Sequence, residues 1–530
     1  MTATAASTIP QRPLKAAHDY IVVGSGSGGA PVARRLVDAG ASVLLIEAGP
    51  PGIGIPEIDD PAQWVPLGRS RYDWGYDYTP THHVNGRTIG IPRGRVLGGS
   101  SAINAMMWYR GNPIDYDAWE MSGAEGWAFK DVLPYFKRCE DWTGGENSCR
   151  GAGGPLRIER SPSPHLIALA FMEAARELGV PTIEDPNGPN NEGASLSNFN
   201  ISAGKRWNSA RGYLWPILDN PNLTILTDCL AVSLGFEGNR CVLVRHARNG
   251  EYAETRANGE IVLALGAVDT PRLLMMSGIG DPVELKRLGI QVRAALPGVG
   301  QNLQDHPLVR AINFRSKKAL GTTRDNGGGS MVNWKTSAGL SQANAHAFPV
   351  QGASATPALA AAYDLSGDIF AIGTGLMRSR SRGHLKLLGA EPGSPMEIQP
   401  NFLSDPEDLA DLTDAAAFAM ELGQAKAFSK WFGGFLAPEG RLSRTETAAF
   451  IRVACSTFFH ICGTCKMGKD EMAVVDNELA VHGVEGLRIA DASVIPVIPS
   501  CNTHAPVTMI GERAADFLLQ SRLSKRQTTS

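Results

Sequence analysis

His460, Cys462 and Cys465 stand together in the run FFHICGTCKMG, residues 458–468, and three chemistries compete for them. A C-x-x-C with a nearby histidine is half of a zinc site, a redox dithiol, or a histidine base flanked by structural thiols. Zinc needs a full ligand set, and no second pair at conventional spacing accompanies this one, although Cys501 and His504 follow in CNTHAPVTMIGERAADFL. A redox dithiol belongs at a helix start in a thioredoxin-like unit, and the flanking sequence does not read that way. Which chemistry wins depends on the elements around these residues.

The clearest element is DYIVVGSGSGGAPVARRLVDAGASVLLIEAG. Residues 20–23 read as a buried strand, Gly24, Gly26 and Gly29 give G-x-G-x-x-G, and Ala30, Ala33, Leu36 and Val37 recur at helical spacing. A second strand, 43–46, ends on Glu47. In such a unit the glycines permit a tight turn and close approach to a pyrophosphate, the helix start supplies N–H groups, and the acidic residue accepts ribose hydroxyls. The fingerprint alone admits NAD and FAD equally. Two further segments resemble parts of the same parallel sheet: GEIVLALGAVDTPRLLMMSGIG and GLRIADASVIP, the latter ending its strand on Asp491. A sheet drawn from three distant parts of the chain suits a flavin site better than a contiguous nicotinamide domain.

With these motifs in place, the chain resembles the glucose-methanol-choline (GMC) oxidoreductases, FAD enzymes that oxidise alcohols. The resemblance is carried by the N-terminal fingerprint, GRVLGGSSAINAMMWYRG, GAVDTPRLLMMSGIG, GVGQNLQDHP, and the C-terminal run from HICGTCKMG to ERAADFL. It implies an α/β fold: a Rossmann-like FAD-binding domain assembled from 1–160, 210–308 and 455–530, and a substrate-binding domain on a mainly antiparallel sheet from 161–209 and 309–454. It implies that Gly98, Gly99, Ser100 and Asn104 lie against the flavin, that Val232 meets the adenine through backbone groups, and that Asp491 and Ala492 close the cofactor site. Some members tether FAD through a histidine in the first of these signatures. Ile103 occupies that position here, which implies a non-covalently held cofactor.

In the same resemblance, His460 faces the reactive edge of the flavin as the base. His504, where members carry His or Asn, holds the substrate oxygen. The cysteines occupy variable slots and read as structural, reduced thiols, so no metal is expected. His306 falls in a motif that reads as structural. The implied reaction is oxidation of a primary alcohol to an aldehyde, with O2 or another acceptor taking the electrons. Whole-chain likeness within the family points to an aromatic hydroxymethyl substrate, with pyridoxine in first place. A choline-type alcohol or a cyanohydrin-splitting lyase are the alternatives.

Composition excludes other classes. With 43% hydrophobic and 19% charged residues and a net charge of −3, there is no basic excess to hold nucleic acid. The longest apolar stretches fall short of the roughly 20 residues a membrane span needs. Eight cysteines in 530 residues are too sparse for a disulfide scaffold, and the N-terminal segment, read as a short disordered arm, lacks the apolar core of a secretion signal. The expected location is the cytoplasm.

Overall fold

The computed structural model describes residues 8–322 and 325–528. Two sheets organise it. The first runs, in spatial order, Leu223–Leu226, Val43–Ile46, Ala17–Val23, Glu251–Leu263, Arg240–Arg248 and Cys229–Glu237, with Leu487–Ile489 added beside Glu251–Leu263. Val43–Ile46 and residues 20–23 are buried along their whole length, as expected of parallel strands covered on both faces. Glu251–Leu263 joins two regimes. Its first half pairs antiparallel with Arg240–Arg248, and its second half lies parallel to Ala17–Val23 on one side and to Leu487–Ile489 on the other. The nucleotide-binding sheet is thus assembled from three separated segments.

The helix Gly29–Asp38 buries Ala30, Ala33, Leu36 and Val37 against this sheet, the face that the helical spacing predicts. In its last turn Arg35 makes a bidentate pair with the buried Glu512 of the C-terminal helix, both contacts at 2.8 Å. Arg138 and Tyr213 meet the same carboxylate, which locks the C-terminal helix in place over the phosphate-binding turn. The segment before the first strand is pinned rather than loose where it is described: Arg12 donates to the Leu223 and Leu218 carbonyls at 2.7 and 3.0 Å. The disordered arm expected at the N-terminus therefore does not extend that far, and residues 1–7 lie outside the described residues.

The second sheet is antiparallel, in the order Phe432–Ala437, Pro307–Ser316, Ile369–Leu376, Ala345–Val350, Ser330–Trp334 and Gly193–Leu196. The long helix Pro406–Gln424 packs on it. Its short strand Cys455–Thr457 pairs with residues 307–309, and that pairing positions the site. The ladder continues past the strand ends, with Phe458 N donating to His306 O at 3.1 Å and Gln304 and Cys462 exchanging backbone bonds at 2.9 and 3.0 Å. Residues 304–309 and 455–462 thus run antiparallel, which places His306 beside His460. No helix among the described residues is long and apolar enough to cross a membrane.

Candidate active site

One cavity of about 810 Å³ runs from Glu47 and Val232 at one end, past Gly26, Gly99 and Asn104, to His460 and Asn502 at the other. The protein atoms around it fit a dinucleotide. A Cβ on Gly26 would meet no protein atom closer than Gly99 Cα at 3.9 Å, so the space before it is open to a ligand. At Gly28, by contrast, a Cβ would lie 1.8 Å from the Ala490 carbonyl oxygen, and at Gly29 one would lie 1.9 Å from the Gly24 carbonyl oxygen. These two glycines serve the close contact of helix and strands, and Gly26 leaves the open space that a pyrophosphate would need. Gly28 is an essential member of this turn that the fingerprint positions did not include.

Glu47 ends its strand with both carboxylate oxygens engaged: Oε2 accepts from Ser25 N and Oγ at 3.2 and 2.5 Å, and Oε1 from Gly49 N at 2.9 Å. Burial pushes its pKa up, while the Ser25 hydroxyl and the backbone donors pull the other way. Val232 lies where the strand register skips. Ala231 pairs with His246 and Ser233 with Arg245, so Val232 is left out of the ladder with its backbone available to a ligand. Glu47→Ala should weaken FAD retention by about tenfold or more, the loss expected on removing a carboxylate that would accept ribose hydroxyls, without changing substrate preference. Equilibrium dialysis of the flavin checks this, and undiminished retention would remove Glu47 from the ribose.

Along the middle of the cavity, Gly98 and Gly99 take left-handed backbone, with φ of 98° and 54°. They start the short turn Gly99–Ala102 that presents Ser100 and Asn104. Ser100 Oγ accepts from Gly94 N at 3.1 Å. Asn104 Oδ1 accepts from Met106 N and from Arg206 Nη1, both at 2.9 Å, which leaves its amide NH2 as the donor toward the cavity. Ile103 is buried beside Ile58, Leu67 and Tyr72. Asp491 spends its oxygens inside the protein, on Ser493 N, Gly266 N and Thr270 Oγ at 2.8, 2.9 and 2.5 Å. It thereby ties the C-terminal segment to the helix Gly266–Met276, and Ala492 beside it faces the cavity.

At the far end stands His460, and its surroundings differ in two respects from the sequence-based expectation. First, His460 and His504 both line the cavity but bond different neighbours. His460 Nε2 lies 3.0 Å from the side-chain nitrogen of Asn502, whereas His504 Nδ1 bonds Ser27 Oγ in the phosphate-binding turn at 2.7 Å. The reason is local: the helix begins at His504 after bends at residues 501 and 503, so residues 502 and 504 reach different neighbours. His504 Nε2 is buried without a protein partner and lines the cofactor cavity. Burial and the Arg206 charge push its pKa down to about 3, so it stands neutral there.

Second, His306 is part of the site. Its Nδ1 lies 2.9 Å from His460 Nδ1, so one proton is shared between two ring nitrogens. His306 Nε2 has no well-formed hydrogen bond, yet a contact with the Met377 backbone favours a proton on that ring. With N–H on Nε2, His306 offers a lone pair at Nδ1, and His460 donates its own Nδ1 proton to it. His460 Nε2 is then the unprotonated nitrogen, which agrees with Asn502 donating to it. The tautomer follows from the partners rather than from located protons. Burial first, then the neighbouring His306, Arg93 and His346, hold the His460 pKa well below 6.5.

Asp305 organises this end. Buried, it accepts from the backbone N–H of His306 and of His460, both at 2.8 Å, from Tyr78 OH at 2.7 Å and from the Thr457 hydroxyl. Phe459, just before His460, has φ of 66°, a left-handed conformation unfavourable for a bulky residue. It is held by Phe459 N donating to Thr457 Oγ1 at 2.6 Å and by the Asp305 bond to the next N–H. His460 also stacks on Phe458, with centroids 5.5 Å apart.

The cysteines separate from the chemistry. Cys462 and Cys465 are buried and free, with thiol pKa values pushed up by burial and by nearby carboxylates. Their backbones are committed to Gln304 and Ser493. No cluster of three or more metal-ligating side chains occurs among the described residues. The Cys462→Ser, Cys465→Ser double variant should keep its flavin and at least about half of its turnover, because no thiolate is available as ligand or nucleophile. Loss of stoichiometric zinc together with activity would reverse that reading.

Two domain matches decide the family. Residues 18–308 match the N-terminal part of the family described as GMC oxidoreductase, and residues 379–511 match its C-terminal part. The chain is a GMC oxidoreductase. This GMC oxidoreductase is 39% identical to an oxygen-dependent choline dehydrogenase of Brucella anthropi, over 94% of this chain and 95% of that one. Its fold matches the crystal structure of pyridoxine 4-oxidase from Mesorbium loti with a TM-score of 0.90 and 32% identity, covering 94% and 98% of the two chains. It also matches formate oxidase of Aspergillus oryzae with a TM-score of 0.88 and 26% identity, covering 96% and 99%. As a member of this family it is an oxidoreductase acting on CH–OH groups, with FAD as the family's cofactor.

Proposed function

We propose that this GMC oxidoreductase oxidises a primary alcohol to an aldehyde, with His460 Nε2 as the base. The observation that carries the proposal is a buried, neutral imidazole lining the cavity, its Nε2 lone pair met by the Asn502 amide that an alcohol oxygen would take over. FAD, when bound, supplies the acceptor for the hydride leaving the carbinol carbon. His460 takes the hydroxyl proton, the Asn502 amide donates to the same oxygen as its negative charge grows, and His306 fixes the imidazole so that the lone pair points outward. Gly24, Gly26, Gly29 and Glu47 hold the dinucleotide, Val232 the adenine, and Gly98, Gly99, Ser100 and Asn104 the ring system, with Asp491 and Ala492 closing the end of the sheet. His504 serves the cofactor side, through the nitrogen left without a protein partner.

FAD is held without a covalent tether, since Ile103 stands where the family's tethering histidine would be and cannot form one. O2 is the proposed acceptor, giving H2O2, and pyridoxine, giving pyridoxal, is the proposed substrate. The likeness to pyridoxine 4-oxidase supports this. Choline is the second reading, favoured by the identity to choline dehydrogenases. Anaerobic mixing with pyridoxine, choline and simple alcohols, followed by air, is the test. Bleaching of the flavin band and its recovery in air are expected, with the flavin released into the supernatant on acid precipitation. Aldehyde formed together with cyanide from a cyanohydrin, with no bleaching by any alcohol, would show a lyase instead.

A further inference from the structure

The substrate end of the cavity carries an uncommitted positive charge. Five arginines line the cavity, and four are engaged elsewhere. Arg69 pairs with Asp77, Arg87 donates to the Arg452 and Cys455 carbonyls, Arg93 to the Pro92 and Phe459 carbonyls, and Arg272 to the Ser394 carbonyl. Arg310 alone has no hydrogen bond or ion pair among the described residues. Its guanidinium lies over the Phe459 ring, 6.0 Å from the centroid, immediately beside His460 in the chain. It is half-buried, and desolvation lowers its pKa with no carboxylate to offset this.

The backbone aims it there. On the strand Pro307–Ser316, Val309 pairs with Thr374 but Ile312 pairs with Ile372, so Arg310 and the residue after it share one opposing position. Such a bulge re-aims a side chain, here toward Phe459. A guanidinium left without a partner in a desolvated wall costs stability unless a ligand supplies the counter-charge.

The carboxylates tell the complementary half. Four line the cavity: Glu47, Asp77, Asp269 and Asp491. Glu47 and Asp491 are committed at the cofactor end as described, Asp77 to Arg69, and Asp269 to Tyr76 OH at 2.7 Å. None stands free to face an ammonium group; the carboxylate beside the base, Asp305, is committed to two backbone N–H groups and the Tyr78 and Thr457 hydroxyls, and Arg93 adds a positive charge nearby.

We propose that Arg310 is a specificity-determining residue that binds an anionic group on the substrate, so that the enzyme takes a primary alcohol bearing a carboxylate or an acidic phenolate and discriminates against quaternary ammonium alcohols. The proposal rests on the reading of His460 as the base, since that fixes which end of the cavity receives the alcohol. A planar guanidinium matches either oxygen anion, and repulsion of a cation sharpens the choice. The sequence similarity to choline dehydrogenases therefore does not extend to their substrate.

The test compares 4-(hydroxymethyl)benzoate, benzyl alcohol and 4-(hydroxymethyl)phenyltrimethylammonium as reductants of the holoenzyme under anaerobic conditions. The carboxylate should exceed the neutral alcohol in kcat/KM by about 10- to 100-fold, the usual range for a charge-assisted pair, and the ammonium compound should be poorest. In Arg310→Leu that order should compress or invert. Pyridoxine against its analogue lacking the ring hydroxyl distinguishes a phenolate from a carboxylate as the favoured anion. A binding arm stands apart from turnover: benzoate titrated into oxidised holoenzyme should perturb the flavin band in the parent and bind at least tenfold more weakly in Arg310→Leu. If no alcohol reduces the flavin yet benzoate binds through Arg310, the catalytic reading fails and the anion site stands. If choline or the ammonium alcohol matches the carboxylate in the parent, or benzoate binds both proteins equally, the proposal is overturned.

Discussion

His460→Ala should slow anaerobic reduction of the bound flavin by ~10²–10⁴-fold, the span expected for loss of a positioned base, while leaving FAD in place. On the proposed reading the effect belongs on the reduction step, because the imidazole takes the alcohol proton there. Single-turnover absorbance measurements isolate that step from oxygen and from product release. The pH profile carries a second signature. A histidine whose pKa is held well below 6.5 keeps its lone pair into more acidic solution than an ordinary imidazole. The acid limb of flavin reduction in the parent should therefore lie below pH 6.5 and be absent in His460→Ala. Asn502→Ala should cost about 10-fold or more through the lost oxygen contact, and His504→Asn less than that. A larger loss at His504 than at Asn502 would return the substrate oxygen to His504.

Asp305→Ala should be the most damaging single change away from the reacting atoms. It leaves two backbone N–H groups, the Tyr78 hydroxyl and the Thr457 hydroxyl facing a buried space without an acceptor. At about 1–3 kcal/mol for each unsatisfied buried group, partial relaxation still leaves a loss on the order of 3–5 kcal/mol. The left-handed turn at Phe459 also loses one of its two restraints, so His460 drifts from its position. Urea unfolding of the holoenzyme should show the lowered midpoint, and flavin reduction should fall along with it. Asp305→Asn, which keeps an acceptor oxygen, should recover part of both. A variant as stable and as fast as the parent would show that Asp305 is a bystander.

Much of the cofactor half was legible because its signals are local. Gly24, Gly26 and Gly29 act within one turn of chain, Glu47 ends the strand that precedes it in space, and the apolar spacing of Ala30 to Val37 reports directly which face is buried. Even there Gly28 escaped, since its reason is a carbonyl at Ala490 from the far end of the sequence. At the substrate end the signals are not local. His306 looked structural because its partner is His460, far away in the chain, brought alongside by an antiparallel ladder that residue types do not announce. His504 was assigned from its place in the family motif, whereas Asn502 carries no such signal, and its meeting with His460 depends on where the helix starts. Arg310 has no sequence signal beyond its type, because a strand irregularity aims it.

The strand Leu487–Ile489 bears on the order in which the molecule can be made. It pairs with a strand whose other neighbour, Ala17–Val23, stands far earlier in the chain and leaves the ribosome well before it. The glycine turn after Ala17–Val23 is complete long before Ala490 arrives to pack against Gly28. During synthesis the early half of the nucleotide-binding sheet must therefore wait with one edge unpaired, and such edges are where chains associate wrongly. The final contacts span nearly the whole polypeptide, a topology that folds slowly. The cofactor cavity is among the last features of the molecule to close, so capture of FAD belongs to the end of folding rather than to its nucleation.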